Sequence, residues 1–321
     1  MIQPTVFSKF QQHYENQFGL TSMNEEKEGN RNQVSIYSDQ LKEGNHPRIF
    51  HHGKKTQDVI ILTHGLSDSP YYVEAIGKRF FKEGVNVILP LLPAHGLKDP
   101  NKAMEDRKLD FKWRAEIDAM VEIAAGLGGR ISLGGFSTGG ALSYNKILRE
   151  ETKIRGGLFL FSGAIDVSLV NDVNNLYLAR LAIKLSDGDI IGIGKDPYKY
   201  PTFPKYGGLE LGDIIDENDR LSKNRKINQA VFAAHSVHDE TANLSGISGL
   251  LEKHVQRGLA FVISENVTHS ELPLDKVIEL DESQDLGPET PPKANPKFNL
   301  MMDSAIQFFH KEVSAGNYVN D

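Results

Sequence analysis

The chain has 321 residues, with 36 lysines and arginines against 43 aspartates and glutamates, a net charge of −7, and no cysteine. Its 39% apolar and 25% charged residues are those of an ordinary globular protein, which excludes collagen-like, coiled-coil and wholly disordered chains. A disulfide scaffold, a thiolate metal site and a cysteine nucleophile are excluded as well, and the acidic balance argues against a nucleic-acid partner. The start, Met1-Ile2-Gln3-Pro4, has neither the basic residues nor the apolar run of a signal peptide, and no run approaches the ~20 apolar residues of a spanning helix. The expectation is a cytoplasmic protein without stable membrane insertion.

In chain order, Phe7, Phe10, Tyr14 and Phe18 recur at helical spacing and predict an amphipathic helix over 5–18 that docks on the body. Residues 22–32 are polar and read as a loop, and 33–37 alternate like a half-buried strand. From Asp58 the pattern changes. Val59-Ile60-Ile61-Leu62 is a continuous apolar run of the kind buried parallel strands show. A helix follows Pro70, with Val73, Ile76, Phe80 and Phe81 on one side, and Gly84 ends it.

A second apolar strand covers 85–92 and closes on Pro93-Ala94-His95-Gly96; a helix spans 110–125 with Trp113, Ile117, Val121 and Ala124 on one face. Then come a strand at 131–133, a helix at 141–150 and a strand at 157–161. Residues 168–226 break the alternation, which resumes with a strand at 230–234, a helix at 243–256, a strand at 259–263 and a last helix at 298–313. The stretch 271–297 is acidic and proline-bearing and reads as an ordered loop or a flexible insert. Strand–helix alternation of this kind builds a parallel sheet with helices on both faces.

Gly135-Phe136-Ser137-Thr138-Gly139 is a G-x-S-x-G pattern. Alone the pattern is weak, but here a strand runs directly into it and a helix directly out. That context places the Ser137 hydroxyl, exposed, on a tight turn whose flanking glycines avoid clashes with neighbouring backbone. The bland alternative is a glycine-rich turn with a helix-capping serine. A serine hydroxyl needs a base to attack at neutral pH. Of 11 histidines, His269 lies just beyond the strand 259–263, late in the chain, where a base in the order serine, acid, histidine must stand. His64, His95, His235 and His238 also sit near strand ends, where a lone histidine is usually structural. The acid belongs after the preceding strand, at Asp239, to hold the imidazole tautomer; Glu240 and Asp166 are the alternatives. For the oxyanion, the sequence offers the N–H of Thr138, at a helix N-terminus, and the N–H of Leu66 in the turn His64-Gly65-Leu66.

The segments His64-Gly65, Leu92-Pro93-Ala94-His95-Gly96, Gly135–Gly139, Asp239 and His269 together resemble the α/β-hydrolase superfamily. Within it they resemble the bacterial carboxylesterase, monoacylglycerol lipase and lysophospholipase-like group, over about 58–163 and 228–313. Pro-Ala-His-Gly stands where that group commonly has Pro-Gly-His-Gly. The resemblance implies an α/β-hydrolase fold: an eight-stranded, mostly parallel sheet with helices on both faces. It divides the chain into an N-terminal helix and first strands (1–57), a core (58–167 and 227–321) and an inserted cap (168–226).

It implies a serine esterase with a triad of Ser137, Asp239 and His269, an oxyanion hole from Leu66 and Thr138, and Gly65 and Phe136 beside the substrate. The substrate expected is a small ester or lipid-like molecule, with no cofactor, metal or nucleic acid. Oligomeric state is left open. Amide, thioester or C–C bond hydrolysis, and a non-catalytic binding protein on the same fold, are the alternatives. The aromatics Tyr198, Tyr200, Phe203 and Tyr206 suit an acyl pocket and ordinary cap packing equally. His51-His52 and His235/His238 lack a third ligand, and Gly192-Ile193-Gly194 is too short for a dinucleotide loop.

Overall fold

Successive side chains of a strand point to opposite faces, so a continuously apolar strand must be covered on both sides. The computed structural model describes residues 2–29, 31–99, 101–166, 195–200, 205–281 and 291–315. Phe203, Gly192–Gly194, most of the expected cap and the middle of the acidic stretch lie outside the described residues.

Among these residues there is one nine-stranded sheet. Its strands are β1 (Ser22–Glu28), β2 (Arg31–Tyr37), β3 (Arg48–His51), β4 (Thr56–Thr63), β5 (Asn86–Leu89), β6 (Gly128–Phe136), β7 (Leu158–Phe161), β8 (Val231–Ser236) and β9 (Gly258–Ile263). The order across the sheet is β1-β2-β3-β5-β4-β6-β7-β8-β9. The first three strands pair antiparallel, β3 joins β5 antiparallel, and every pair from β5 to β9 is parallel.

The expectation of eight strands is therefore corrected to nine, and the 22–32 loop to the strand β1 and the first residues of β2. Ser-Met-Asn-Glu-Glu-Lys-Glu shows no apolar alternation because β1 is an edge strand with one neighbour. Its pairing rests on backbone hydrogen bonds, and its charges guard the edge against a further strand. The strand expected over 85–92 is shorter, ending at Leu89.

The layers follow the alternation. Val59, Ile61, Ile131, Leu133, Leu158, Leu160, Val231 and Ala233 face one apolar cluster. This cluster is covered by α1 (Pro4–Phe18), α4 (Leu109–Ala124), α5 (Thr138–Glu150) and α7 (Leu244–His254). Ile60, Leu62, Phe159, Phe161, Phe232 and Ala234 face the other, beneath α2 (Tyr71–Lys82) and α8 (Phe298–Phe308). Helix α2 buries Tyr72, Val73, Ile76 and Phe80 on one stripe. It stops at Gly84, whose left-handed φ of 82° lets the Gly84 and Val85 N–H groups donate to the Phe81 and Phe80 carbonyls. A third cluster, with Leu92, Trp113, Leu142, Tyr200, Ile214 and Ile215, lies at the carboxyl edge of the strands. Helix α6 (Lys205–Ser222) contributes Leu211, Ile214 and Ile215; a short α3 (Asn101–Met104) contributes Met104 to the same cluster.

Helix α1 docks through Phe10, Tyr14 and Phe18 as expected, but Val6 takes the buried place expected of Phe7, which is only partly buried against the same cluster. Its polar side is fastened to the buried Glu116 of α4, which accepts from Tyr14 Oη at 2.7 Å and Gln17 Nε2 at 2.8 Å and lies 2.6 Å from His13 Nε2.

Candidate active site

Strand β6 and helix α5 meet at Ser137, which holds φ 51° and ψ −117°. A non-glycine residue at positive φ costs of order 1–3 kcal/mol and persists only where its surroundings dictate it. They do so here. The Ser137 N–H donates to the Phe161 carbonyl at 3.2 Å, and its carbonyl accepts from Gly140 at 2.9 Å and Ala164 at 3.0 Å. The flanking glycines permit the approach: a Cβ on Gly135 would lie 2.5 Å from the Thr63 carbonyl oxygen, and one on Gly139 only 2.0 Å from it. Replacing Gly135 would drive β6 from β4, and replacing Gly139 would drive α5 from the end of β4.

His269 opens a short 3₁₀ turn, His269–Glu271, capped by reciprocal hydrogen bonds of Thr268 and Glu271. Its Nδ1 lies 2.7 Å from Asp239 Oδ2. The other oxygen, Oδ1, accepts the Thr241 and Ala242 N–H groups at 2.9 Å each. Burial pushes the Asp239 carboxyl up, but hydrogen bonds and charge from His269, together with the Ala242 N–H, outweigh it and leave the group below its ordinary value. An ionised Asp239 only accepts, so Nδ1 carries the proton and Nε2 is left as the basic nitrogen. The His269 ring stands over Phe136, the residue before Ser137, with ring centroids 4.8 Å apart. The sheet thus gathers residues from β6, the loop after β8 and the loop after β9 at one edge.

The third part is the turn after β4. Asp68 N–H donates to the Gly65 carbonyl at 3.3 Å, and Ser67 sits at φ 65°. Gly65 lies against Ser137: a Cβ there would be 3.1 Å from Ser137 Cβ. This brings Leu66 to the same corner as Thr138, the first residue of α5, whose N–H has no partner within its helix. Leu66 and Ala94 pack on the apolar cluster at this edge.

The other candidate residues are placed differently. His64 has both nitrogens occupied: Nε2 accepts the Leu92 N–H at 3.1 Å, and Nδ1 lies 2.8 Å from the Gly65 carbonyl. Burial holds it well below its ordinary pKa. His95, packed between Trp113 and Tyr200, is pushed by burial down to about 4. His235 lies 2.8 Å from the Ala242 carbonyl, and His238 and Glu240 are exposed. Asp166 lines a separate cavity of about 400 Å³ with Tyr144 and Asp219. His52 stacks on Phe81, and among the described residues no three histidines or carboxylates converge as a metal site. Tyr206 is half-buried.

Four further residues reach this edge without having been singled out from the sequence. Asp68 is 2% exposed, and its Oδ2 would lie 2.4 Å from a Cβ on Gly65. Lys199 Nζ sits 3.2 Å from Asp68 Oδ1 and 4.5 Å from the centre of the Tyr72 ring. The Tyr72 hydroxyl in turn donates to Asp196. No motif links Asp68 to Lys199; the one available signal was the position of Asp68, three residues after Gly65.

No curated protein sequence is significantly similar to the chain. Among solved structures, one from a study of LipS and LipT, two metagenome-derived lipolytic enzymes, superposes with a TM-score of 0.67 at 17% identity, covering 85% of this chain and 100% of that one. The monoacylglycerol lipase of Paleococcus ferrophilus gives 0.56 at 17% identity, covering 80% and 95%. A soluble variant of the Saccharomyces cerevisiae monoglyceride lipase, in complex with a substrate analog, gives 0.58 at 12% identity, covering 94% and 97%. At such identities the likeness is one of fold. The family model described as the alpha/beta hydrolase family matches residues 60–239, a stretch running from β4 through the Ser137 turn to Asp239. On that match and this sheet, the chain belongs to the α/β-hydrolase family.

Proposed function

We propose that the protein is a serine hydrolase of carboxylic esters. The observation that carries this reading is the strained Ser137 on the β6–α5 turn, beside the hydrogen-bonded pair of His269 and Asp239. Ser137 Oγ attacks the acyl carbon while His269 Nε2 takes its proton. The carbonyl electrons move to oxygen, and the N–H groups of Leu66 and Thr138 receive the oxyanion. Collapse expels the alcohol, which takes the proton back from His269. Water, deprotonated by the same nitrogen, then releases the acid and restores the Ser137 hydroxyl. Asp239 keeps the imidazole in the productive tautomer and stabilises its protonated form. Gly65 and Phe136 border the acyl group, and no step needs a metal or cofactor.

The apolar packing of Leu66 and Ala94 at this edge, and the lipases among the similar folds, favour an ester with an apolar acyl part. The test combines fluorophosphonate labelling with a chain-length series of p-nitrophenyl esters. The expected results are one adduct on Ser137, ester turnover, and a loss of about 10⁶ in kcat for Ser137→Ala. A Ser137→Ala protein near full activity would overturn the nucleophile assignment. Labelling without ester turnover would shift the reading to amide, thioester or C–C bond substrates.

A further inference from the structure

A carboxylate beside an oxyanion hole poses an electrostatic problem. The developing negative charge of the tetrahedral intermediate is stabilised by dipoles aimed at it and opposed by any fixed negative charge nearby. Asp68 is such a charge. It closes the Gly65–Asp68 turn, its Oδ2 lies against the Gly65 backbone, and Gly65 in turn lies against Ser137. Burial pushes the carboxyl up, and the opposing pull of Lys199 and the neighbouring His269 only partly offsets it, so the group stays above its ordinary value.

The counter-charge arrives from far along the chain, on the segment Lys195–Tyr200. That segment is fastened to the loops of the site at several points. The Tyr200 N–H donates to the Ser67 carbonyl at 2.9 Å, inside the same turn. The Tyr200 hydroxyl donates to the Ala94 carbonyl. Tyr198 stacks on Tyr71 with ring centroids 3.5 Å apart, and Asn45 Nδ2 donates to the Pro197 carbonyl at 3.2 Å. Lys199 itself is held between the Asp68 carboxylate and the face of Tyr72. Such fixing of a long side chain, which is 12% exposed, exceeds what a surface ion pair does.

We propose that Lys199 is a positioning residue for the hydrolysis inferred above. Its ammonium cancels the charge of Asp68 at the oxyanion turn, so that the intermediate meets N–H donors and not a net negative field. The role rests on the serine-hydrolase reading and adds to it an electrostatic requirement met by the segment Lys195–Tyr200.

A purely structural ion pair predicts equal harm from losing either partner. Charge cancellation predicts asymmetry. In Lys199→Met a bare carboxylate stays beside the oxyanion once the pH is above the raised pKa of Asp68, so the comparison is made in alkaline solution; in Asp68→Asn a cation stays there instead. We expect Lys199→Met to lower kcat on a p-nitrophenyl ester about tenfold or more with KM little changed. Asp68→Asn should stay within about threefold of wild type, and the double variant should recover most of the loss. The acid limb of the kcat/KM profile should move to higher pH in Lys199→Met, because an uncompensated carboxylate stabilises protonated His269, and return in the double variant. The charged or titratable groups about His269 in that comparison are Asp239, Asp68 and His235, with Lys199, Asp196 and Tyr72 behind Asp68.

Melting curves establish folding; should Lys199→Met not fold, Lys199→Gln, which keeps donors for the carboxylate, takes its place. Equal losses in both single variants, an unmoved acid limb, or no recovery in the double would overturn the proposal. If such results came from a protein that labels at Ser137, the charge-cancelling role alone would fall. A protein that neither labels nor turns over esters would overturn the reading beneath it as well.

Discussion

Two imidazole–carboxylate pairs in this molecule are alike in length and unlike in use. In the seam between α1 and α4, His13 Nε2 lies 2.6 Å from Glu116; at the carboxyl edge of the sheet, His269 Nδ1 lies 2.7 Å from Asp239. Glu116 is saturated by side chains of one helix, with Tyr14 and Gln17 donating alongside His13. Asp239 Oδ1 is satisfied by backbone N–H groups of its own loop, and among the described residues the His269 imidazole is the side chain hydrogen-bonded to its Oδ2. The pair is thus a common device for burying a carboxylate. On the reading proposed above, what separates a catalytic pair from a structural one is the third partner, here Ser137 on strained backbone.

That difference is open to attack from both sides. The largest expected effect is at the edge: Asp239→Asn should lower kcat by about 10⁴ while the melting curve moves little, since it loses the tautomer and not the packing. A smaller loss would mean that another group, His235 included, orients the base. In the seam the same chemistry should show as stability. Glu116→Ala strands the buried Tyr14 hydroxyl and Gln17 amide and should cost about 3 kcal/mol in denaturant unfolding, with kcat of the folded enzyme unchanged.

The seam pair should also carry a pH signature. Burial lowers the affinity of His13 for its proton, but the hydrogen bond and charge of Glu116 outweigh burial, so its folded pKa lies above the ordinary 6.5. The stabilisation is therefore fully present below 6.5 and is lost as pH rises through the raised value. His13→Ala should cost up to about 1 kcal/mol in mildly acid solution and close to nothing in alkaline solution, read as unfolding midpoints across pH. The smallest effect is expected at a third buried carboxylate, one that faces another acid. Burial, then the Asp110 carboxyl, push Glu210 up to about 7. Its folded form thus holds a proton that the unfolded chain loses near 4.5, and stability falls as pH climbs through 7. Glu210→Gln should raise Tm by roughly 2–4 °C at pH 8 and leave it unchanged at pH 4.

The elements that were legible in the sequence are those with a strong local signal. The runs at 59–62 and 157–161, the stripe of α2 and the Gly-x-Ser-x-Gly turn each announce themselves within a few residues, because burial on both faces, helical periodicity and close backbone approach constrain local composition. Strand β1 was not legible. An edge strand in contact with water has no apolar pattern to show, and its pairing is decided by the neighbouring strand.

The site divides along the same line. Ser137, Asp239 and His269 could be placed by motif and chain order because each follows a strand whose carboxyl end the parallel sheet brings to one edge. Asp68 and Lys199 could not, because a lone aspartate in a turn and a lone lysine in an irregular segment look like solvated charges until the fold buries them 3.2 Å apart. By itself, then, the sequence determined the parallel core, the strained nucleophile turn and the order of its partners, all of which depend on short-range periodicity and backbone sterics. Tertiary structure alone decided the ninth strand, the pairing of His13 with Glu116, and which cation lies against Asp68. Those are contacts between distant segments, and their energies arise only once water has been excluded from between them.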